Sequence, residues 1–199
     1  MLPESVVKGV VFTELIEMVE SRFGLETADA MLDPKDLPSG GIYTATGTYA
    51  HAEVVTLLTR LSGMTGASIP DLLYAYGEHL FVRFHAMFPT FFQKPRNSFE
   101  FLASINDTIH TEVRKLYPDA ELPQFSHEMT ETGAMRLVYQ SPRGLADFAA
   151  GLIAGCARHF GEHIVTHRTD LSDGAGRHVV FLLEKASKNR RPESERRGF

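Results

Sequence analysis

The sequence predicts an α+β fold in which helices fill the N-terminal half and strands gather in the C-terminal half. Two observations carry this. Before Pro118 the apolar residues recur at helical spacing in successive segments. After it, alternating runs come in two pairs across Gly-containing turns, separated by one long helical stretch.

Taken in order, Val10 to Phe23 reads as a helix on Val11, Leu15, Val19 and Phe23, with Gly24 as the stop. Asp33 to Gly47, with Pro34, Pro38 and Gly40-Gly41, reads as loop. Tyr49 to Leu61 forms a second helix closed by Gly63. Ser68-Ile69-Pro70-Asp71 combines a capping serine, an early proline and an acid three residues on. The helix it opens runs to about Phe84, before Pro89. Ser98 caps a fourth helix through Leu102, Ile105, Ile109, Val113 and Leu116, ended by Pro118. Phe125 to Thr130 and Met135 to Gln140 are strands joined at Thr132-Gly133. A long helix follows from Pro142 or Arg143 to Phe160, stopped by Gly161. His163 to Arg168 and His178 to Glu184 pair across Asp173-Gly174.

The 199 residues, 43% of them hydrophobic, suffice for one domain with a sizeable core. That unit is expected over 1–184, with 185–199 as a basic, disordered tail. A net charge of -5 leaves the body without a basic surface for nucleic acid. No apolar run approaches the roughly 20 residues of a membrane span. The first five residues lack a basic n-region and a long apolar h-region. A cytoplasmic protein without a membrane partner is therefore expected. The single cysteine, Cys156, rules out an intrachain disulfide, a Cys-x-x-Cys-His motif and a multi-cysteine zinc site within the chain.

Chemistry concentrates in two places. Tyr139-Gln140-Ser141-Pro142-Arg143 falls where a strand hands over to a helix. With Ser141 as N-cap and Pro142 at N1, free N–H groups and the helix dipole favour an anion there. Arg143 adds a fork that grips carboxylates, and the Tyr139 and Ser141 hydroxyls add donors. Spacing alone leaves two readings open: a carboxylate clamp, or a serine cap beside an exposed arginine. His110 borders the apolar stripe of Phe99, Leu102, Asn106, Val113 and Tyr117. It reads either as a ligand facing a buried group or as a core-edge histidine bonded to a carbonyl. His159, His163 and His167 have helical spacing, but Gly161 breaks the helix between them, which disfavours a metal site. Cys156 reads as core filler. Walker, Gly-x-Gly-x-x-Gly and Gly-x-Ser-x-Gly motifs are absent, and nothing suggests an enzyme.

Together these residues resemble a known family. His110 within Ile109-His110-Thr111-Glu112-Val113, then Leu116-Tyr117-Pro118, Pro123 and Tyr139-x-Ser141-x-Arg143 are similar to the haem-nitric oxide/oxygen binding (H-NOX) domain. Lys8-Gly9-Val10-Val11-Phe12, Phe88-Pro89-Thr90-Phe91-Phe92 and Gly151-Leu152-Ile153 also fit. The match runs from about Lys8 to Glu184 and resembles the stand-alone bacterial form, related to the haem part of soluble guanylate cyclase. It implies the H-NOX fold, with the N-terminal helices, the C-terminal helix and antiparallel strands enclosing haem b. Without a Cys-x-x-Cys-His motif the haem would be held non-covalently. His110 would be the axial iron ligand, Tyr139, Ser141 and Arg143 would hold the propionates, and Pro123 would press on the haem.

The resemblance also implies a distal pocket of Val11, Leu15, Leu80, Phe148 and Leu152. In the oxygen-binding branch a tyrosine on the long helix donates to bound O₂; the matching position, nine residues after Tyr139, is Phe148. Leu80 stands where a supporting polar residue is found. A charge-assisted hydrogen bond is worth about 1.5–3 kcal/mol, so losing it weakens O₂ binding by about ten- to a hundredfold. NO and CO are then the expected ligands. NO would loosen the iron–His110 link, the haem would relax against Pro123, and the His110 helix would shift. The expected function is a haem-based NO sensor acting on a separate histidine kinase or cyclic-di-GMP enzyme. The alternatives are a binding or storage protein for NO or haem without output, a haem enzyme, and a haem-free carrier of an apolar ligand.

Overall fold

The computed structural model describes residues 6–118 and 120–186. The chain enters through β1 (Val6–Lys8), which pairs antiparallel with β2 (Thr48–Ala50), Val6 opposite Ala50. At three residues each, these strands are too short for alternation to reveal them. Next, α1 (Gly9–Phe23) stops at Gly24 as expected. Then α2 (Leu25–Met31) stands where no helix was read: only Ala28 and Met31 are buried, so the segment has no apolar stripe. The loop after it is pinned by Glu53, whose buried carboxylate accepts from the Ser39 N–H and hydroxyl and from the Tyr43 hydroxyl. On the far side, α3 (His51–Thr65) runs through Gly63 and ends at Gly66 instead. A glycine inside a helix costs about 1 kcal/mol and is tolerated when packing supplies more. The Ser68 cap is present, its hydroxyl accepting from Asp71 N–H at 3.2 Å, and opens α4 (Ile69–Met87).

The one helix expected over 98–116 is three pieces. After a 3-10 turn, Pro89–Phe92, α5 (Ser98–Ala103) is capped by Asn97, not Ser98, the Asn97 side chain accepting from Glu100 N–H at 3.0 Å. A π-helical segment, Ile105–His110, precedes α6 (Thr111–Leu116). Two side chains disturb the regular ladder here. The Ser104 hydroxyl bonds the Phe101 carbonyl, and the Asn106 amide both donates to the Phe125 carbonyl and accepts from the Phe125 N–H. One side chain that bonds back to the helix and one that bonds outside it accompany the widened turn just before His110.

The sheet has the order β3 (Gln124–Met129), β4 (Met135–Gln140), β6 (His178–Lys185), β5 (Ile164–Asp170), all antiparallel. Met135, Leu137 and Tyr139 of β4 face Leu183, Phe181 and Val179 of β6, and all six are buried. Lys185 ends β6, and the expected tail from 187 onward lies outside the described residues.

The long helix, α7 (Ala146–His159), begins later than its sequence suggests, with Leu145 as N-cap. Gly144 sits at φ +66°, and a Cβ there would strike the Ala175 carbonyl oxygen. A left-handed residue ends a turn and does not continue a helix, so Ser141 is not an N-cap and Pro142 is not N1. Two hydrophobic clusters result, one among α1, α3 and α4 around Phe12, Leu57 and Tyr76, the other between α7 and the sheet around Phe181 and Leu137. They meet where α4 crosses α7 at backbone distance: a Cβ on Gly77 would hit the Phe148 carbonyl oxygen, and one on Gly151 the Tyr74 carbonyl oxygen. Gly151→Ala must part the two helices and is expected to cost about 1–3 kcal/mol, seen as a lower Tm and denaturant midpoint.

Candidate functional site

A cavity of about 300 Å³ opens between the two clusters. Its walls are apolar: Val11 from α1, Leu80 and Phe84 from α4, Leu102 and Ile109 from the segments before His110, and Phe148 and Leu152 from α7. The structure corrects one expected wall residue. Leu15, fully buried, packs in the helical core and does not line the cavity. Sequence reasoning missed much of the wall, including Phe84 and Ile109, because a residue facing a cavity and one facing packed core have the same apolar signature.

His110 closes the π-helical segment and lines this cavity at 8% exposure. Its Nδ1 is buried without a hydrogen-bond partner among the described residues. The carbonyl-bonded alternative for this nitrogen is therefore not what the geometry shows. Burial pushes the imidazole pKa down to about 4, helped by the charge of Arg114. It is thus neutral at pH 7, the form that can donate a lone pair to a metal.

The three rim residues are brought together, though by a turn instead of a helix start. Tyr139 is buried near the end of β4, and its hydroxyl accepts from Leu145 N–H at 3.2 Å, just before α7 begins. Burial raises its pKa, outweighing the opposing hydrogen bonds from Ser141 and Leu145 and the charge of Arg143. The Ser141 hydroxyl accepts from Arg143 N–H at 3.3 Å, and Ser141 N–H bonds the Arg177 carbonyl at 2.9 Å. The Arg143 side chain is only 11% exposed. Its guanidinium donates to the Glu121 carbonyl at 2.6 Å, the Glu121 carboxylate at 2.7 Å and the Val6 carbonyl at 2.6 Å. The site therefore already grips one carboxylate, and does so with a side-chain fork and not a helix dipole. Glu121 and Val6 were invisible to spacing, since each lies far from Arg143 in sequence. Pro123 lines the same cavity on the loop after Glu121.

On the opposite wall Phe148 packs against Tyr76 with ring centroids 5.0 Å apart. The Tyr76 hydroxyl is spent on the Val11 carbonyl at 2.6 Å. Val11, Leu80, Phe148 and Leu152 thus offer the cavity no side-chain donor.

The other candidates fall elsewhere. The His159 ring lies tilted against His85, centroids 4.5 Å apart, whereas His167 stands on β5, so the three spaced histidines do not converge. Among the described residues no group of three His, Cys, Asp or Glu is placed to hold a metal ion. Cys156 is fully buried, and burial raises its thiol pKa to about 12, consistent with core filler. No helix among the described residues is long and apolar enough to cross a membrane.

An apolar slot with one neutral imidazole in its wall and an arginine at its rim suits a flat apolar group that bears carboxylates and a metal. Haem fits that description, and the residues present fit haem. Residues 8–168 match the model of the haem-NO-binding family, and the chain belongs to that family. It is similar to the unliganded Fe(II) H-NOX protein of K. algicida, at 37% identity over 94% of this chain and 100% of that one, with TM-score 0.84. An H-NOX of Shewanella woodyi in its Fe(II)CO state is 38% identical over 93% of this chain and 97% of that one, with TM-score 0.79. The S. oneidensis H-NOX in its Fe(II)NO state is 27% identical over 91% and 100%, with TM-score 0.82. No curated protein matches the sequence. The fold is that of H-NOX proteins, and the family is one of haem-based gas sensors.

The depressed pKa of His110 has a consequence for the haem-free chain. The unfolded imidazole binds a proton below about 6.5 and the folded one only below about 4. Stability is therefore full above pH 6.5 and falls as pH drops towards 4, by about 3 kcal/mol in all. Denaturant titrations across that range should show the loss in the native chain and a shallower one in His110→Leu.

Proposed function

We propose that this chain is a haem-based nitric oxide sensor that regulates a separate signalling enzyme. The observation that carries it is His110: a neutral, buried imidazole with an unpartnered Nδ1 on the wall of an apolar cavity rimmed by Arg143. Residues 1–184 form one haem-binding unit, with haem b held non-covalently. The bound group supplies a ferrous iron that takes a diatomic gas. His110 would hold the iron through its imidazole. Tyr139, Ser141 and Arg143 hold the propionates, and Pro123 bears on the ring.

The gas preference follows from the distal wall. Val11, Leu80, Phe148 and Leu152 give a polarised O₂ nothing to bond, while NO and CO bind without a donor. Two Shewanella relatives are seen in the Fe(II)NO and Fe(II)CO ligation states. His110 is also placed to report ligation. It ends the π-helical segment, and Asn106 of that segment is tied to Phe125 of β3. A change in what holds His110 would be passed through this segment to the sheet. A change of this kind signals only if a partner binds the two states with different affinity. The partner is a histidine kinase or a cyclic-di-GMP enzyme in the cytoplasm.

An anaerobic absorption spectrum tests the reading. The haem-loaded ferrous protein should show a histidine-ligated Soret band that shifts, on adding NO, to that of haem without the histidine. An unchanged ferrous spectrum in His110→Ala would overturn the axial assignment. Phe148→Tyr, which adds a donor to the distal wall, should raise O₂ affinity by about ten- to a hundredfold, read as slower O₂ dissociation.

A further inference from the structure

Arg143 does not wait idle at the rim. Its guanidinium is buried at 11% exposure and ties together three parts of the molecule: β1 through the Val6 carbonyl, the loop before Pro123 through Glu121, and its own turn after β4. The Glu121 side chain is different. It is 52% exposed, and its carboxylate sits 2.7 Å from the guanidinium on the rim of the cavity. One partner is fixed by the fold and the other stands half in water. A carboxylate that is half solvated leaves a salt bridge at small cost, because water replaces much of what it loses. The arginine has no such exit.

Building on the haem reading, we propose that Glu121 is a built-in carboxylate that occupies Arg143 until haem arrives, so that haem loading exchanges one carboxylate for another on the same guanidinium. A buried guanidinium is stabilised by an anion beside it, and Glu121 supplies one from the chain itself. The same contact makes Glu121 a competitor of the incoming propionate. It also couples loading to the loop carrying Pro123, because Arg143 holds the Glu121 backbone carbonyl as well as its carboxylate. Nothing in the Tyr139-x-Ser141-x-Arg143 pattern encodes this device, since Glu121 precedes that pattern by a full hairpin.

Haem titration and stopped-flow uptake with the haem-free full-length chain test the exchange. Glu121→Gln keeps the shape and removes the charge. It should bind haem about three- to tenfold more tightly and take it up faster. In an Arg143→Gln background the same substitution should have a much smaller effect, because the carboxylate no longer competes for that guanidinium. Equal or weaker haem binding in E121Q overturns the exchange, as does an equal gain in both backgrounds. A wild-type chain that takes up no haem removes the haem reading and the exchange with it. Normal wild-type uptake with an unaltered E121Q removes the exchange alone.

Discussion

The crossing of α4 and α7 at Gly77 and Gly151 is the contact on which the rest of the architecture leans. The N-terminal helices and the sheet each bury their own cluster, and α4 and α7 are elements that belong to both neighbourhoods. Because two glycines let the backbones touch, Leu80, Phe148 and Leu152 are drawn onto a common wall, and a cavity remains beyond them. Larger side chains at the crossing would open the helices and change that wall's shape. The cavity is therefore a product of close packing beside it and not of loose packing around it.

Within that cavity the polar groups are few, and each has a distinct state. His110 is kept neutral by burial, and Arg143 is paired with Glu121. The Tyr76 hydroxyl is turned away to the Val11 carbonyl, and the Tyr139 hydroxyl is turned to the start of α7. A low-dielectric pocket magnifies such choices, since an unpaired polar group inside it is costly. The unpartnered Nδ1 of His110 is an exception to this economy, and it falls where a ligand-bearing role is expected. The site is asymmetric: one buried imidazole and one cationic rim against walls that are mostly apolar.

Much of this was legible in the chain. Helical spacing located α1, α3, α4 and α7, and alternation located the four strands of the sheet, because in each the buried face is long enough to leave a period. It failed at β1, β2 and α2, which bury too little for a period to form. It also ran α5, the π-helical segment and α6 together, since the break comes from Asn106 reaching Phe125, a contact between distant residues. The start of α7 was misplaced because Gly144 must avoid the Ala175 carbonyl, again a long-range constraint.

The sequence by itself determined the α+β class, the rim residues Tyr139, Ser141 and Arg143, the imidazole of His110 and the donor-free side chains of Leu80 and Phe148. These depend on residue type and local spacing, which a chain carries unfolded or folded. Only the tertiary structure decided that His110 and Arg143 share one cavity, that Leu15 belongs to the core and not to its wall, and that Glu121 is the rim arginine's partner. Those facts depend on which surfaces meet when the two halves close, and no pattern within a single segment specifies that.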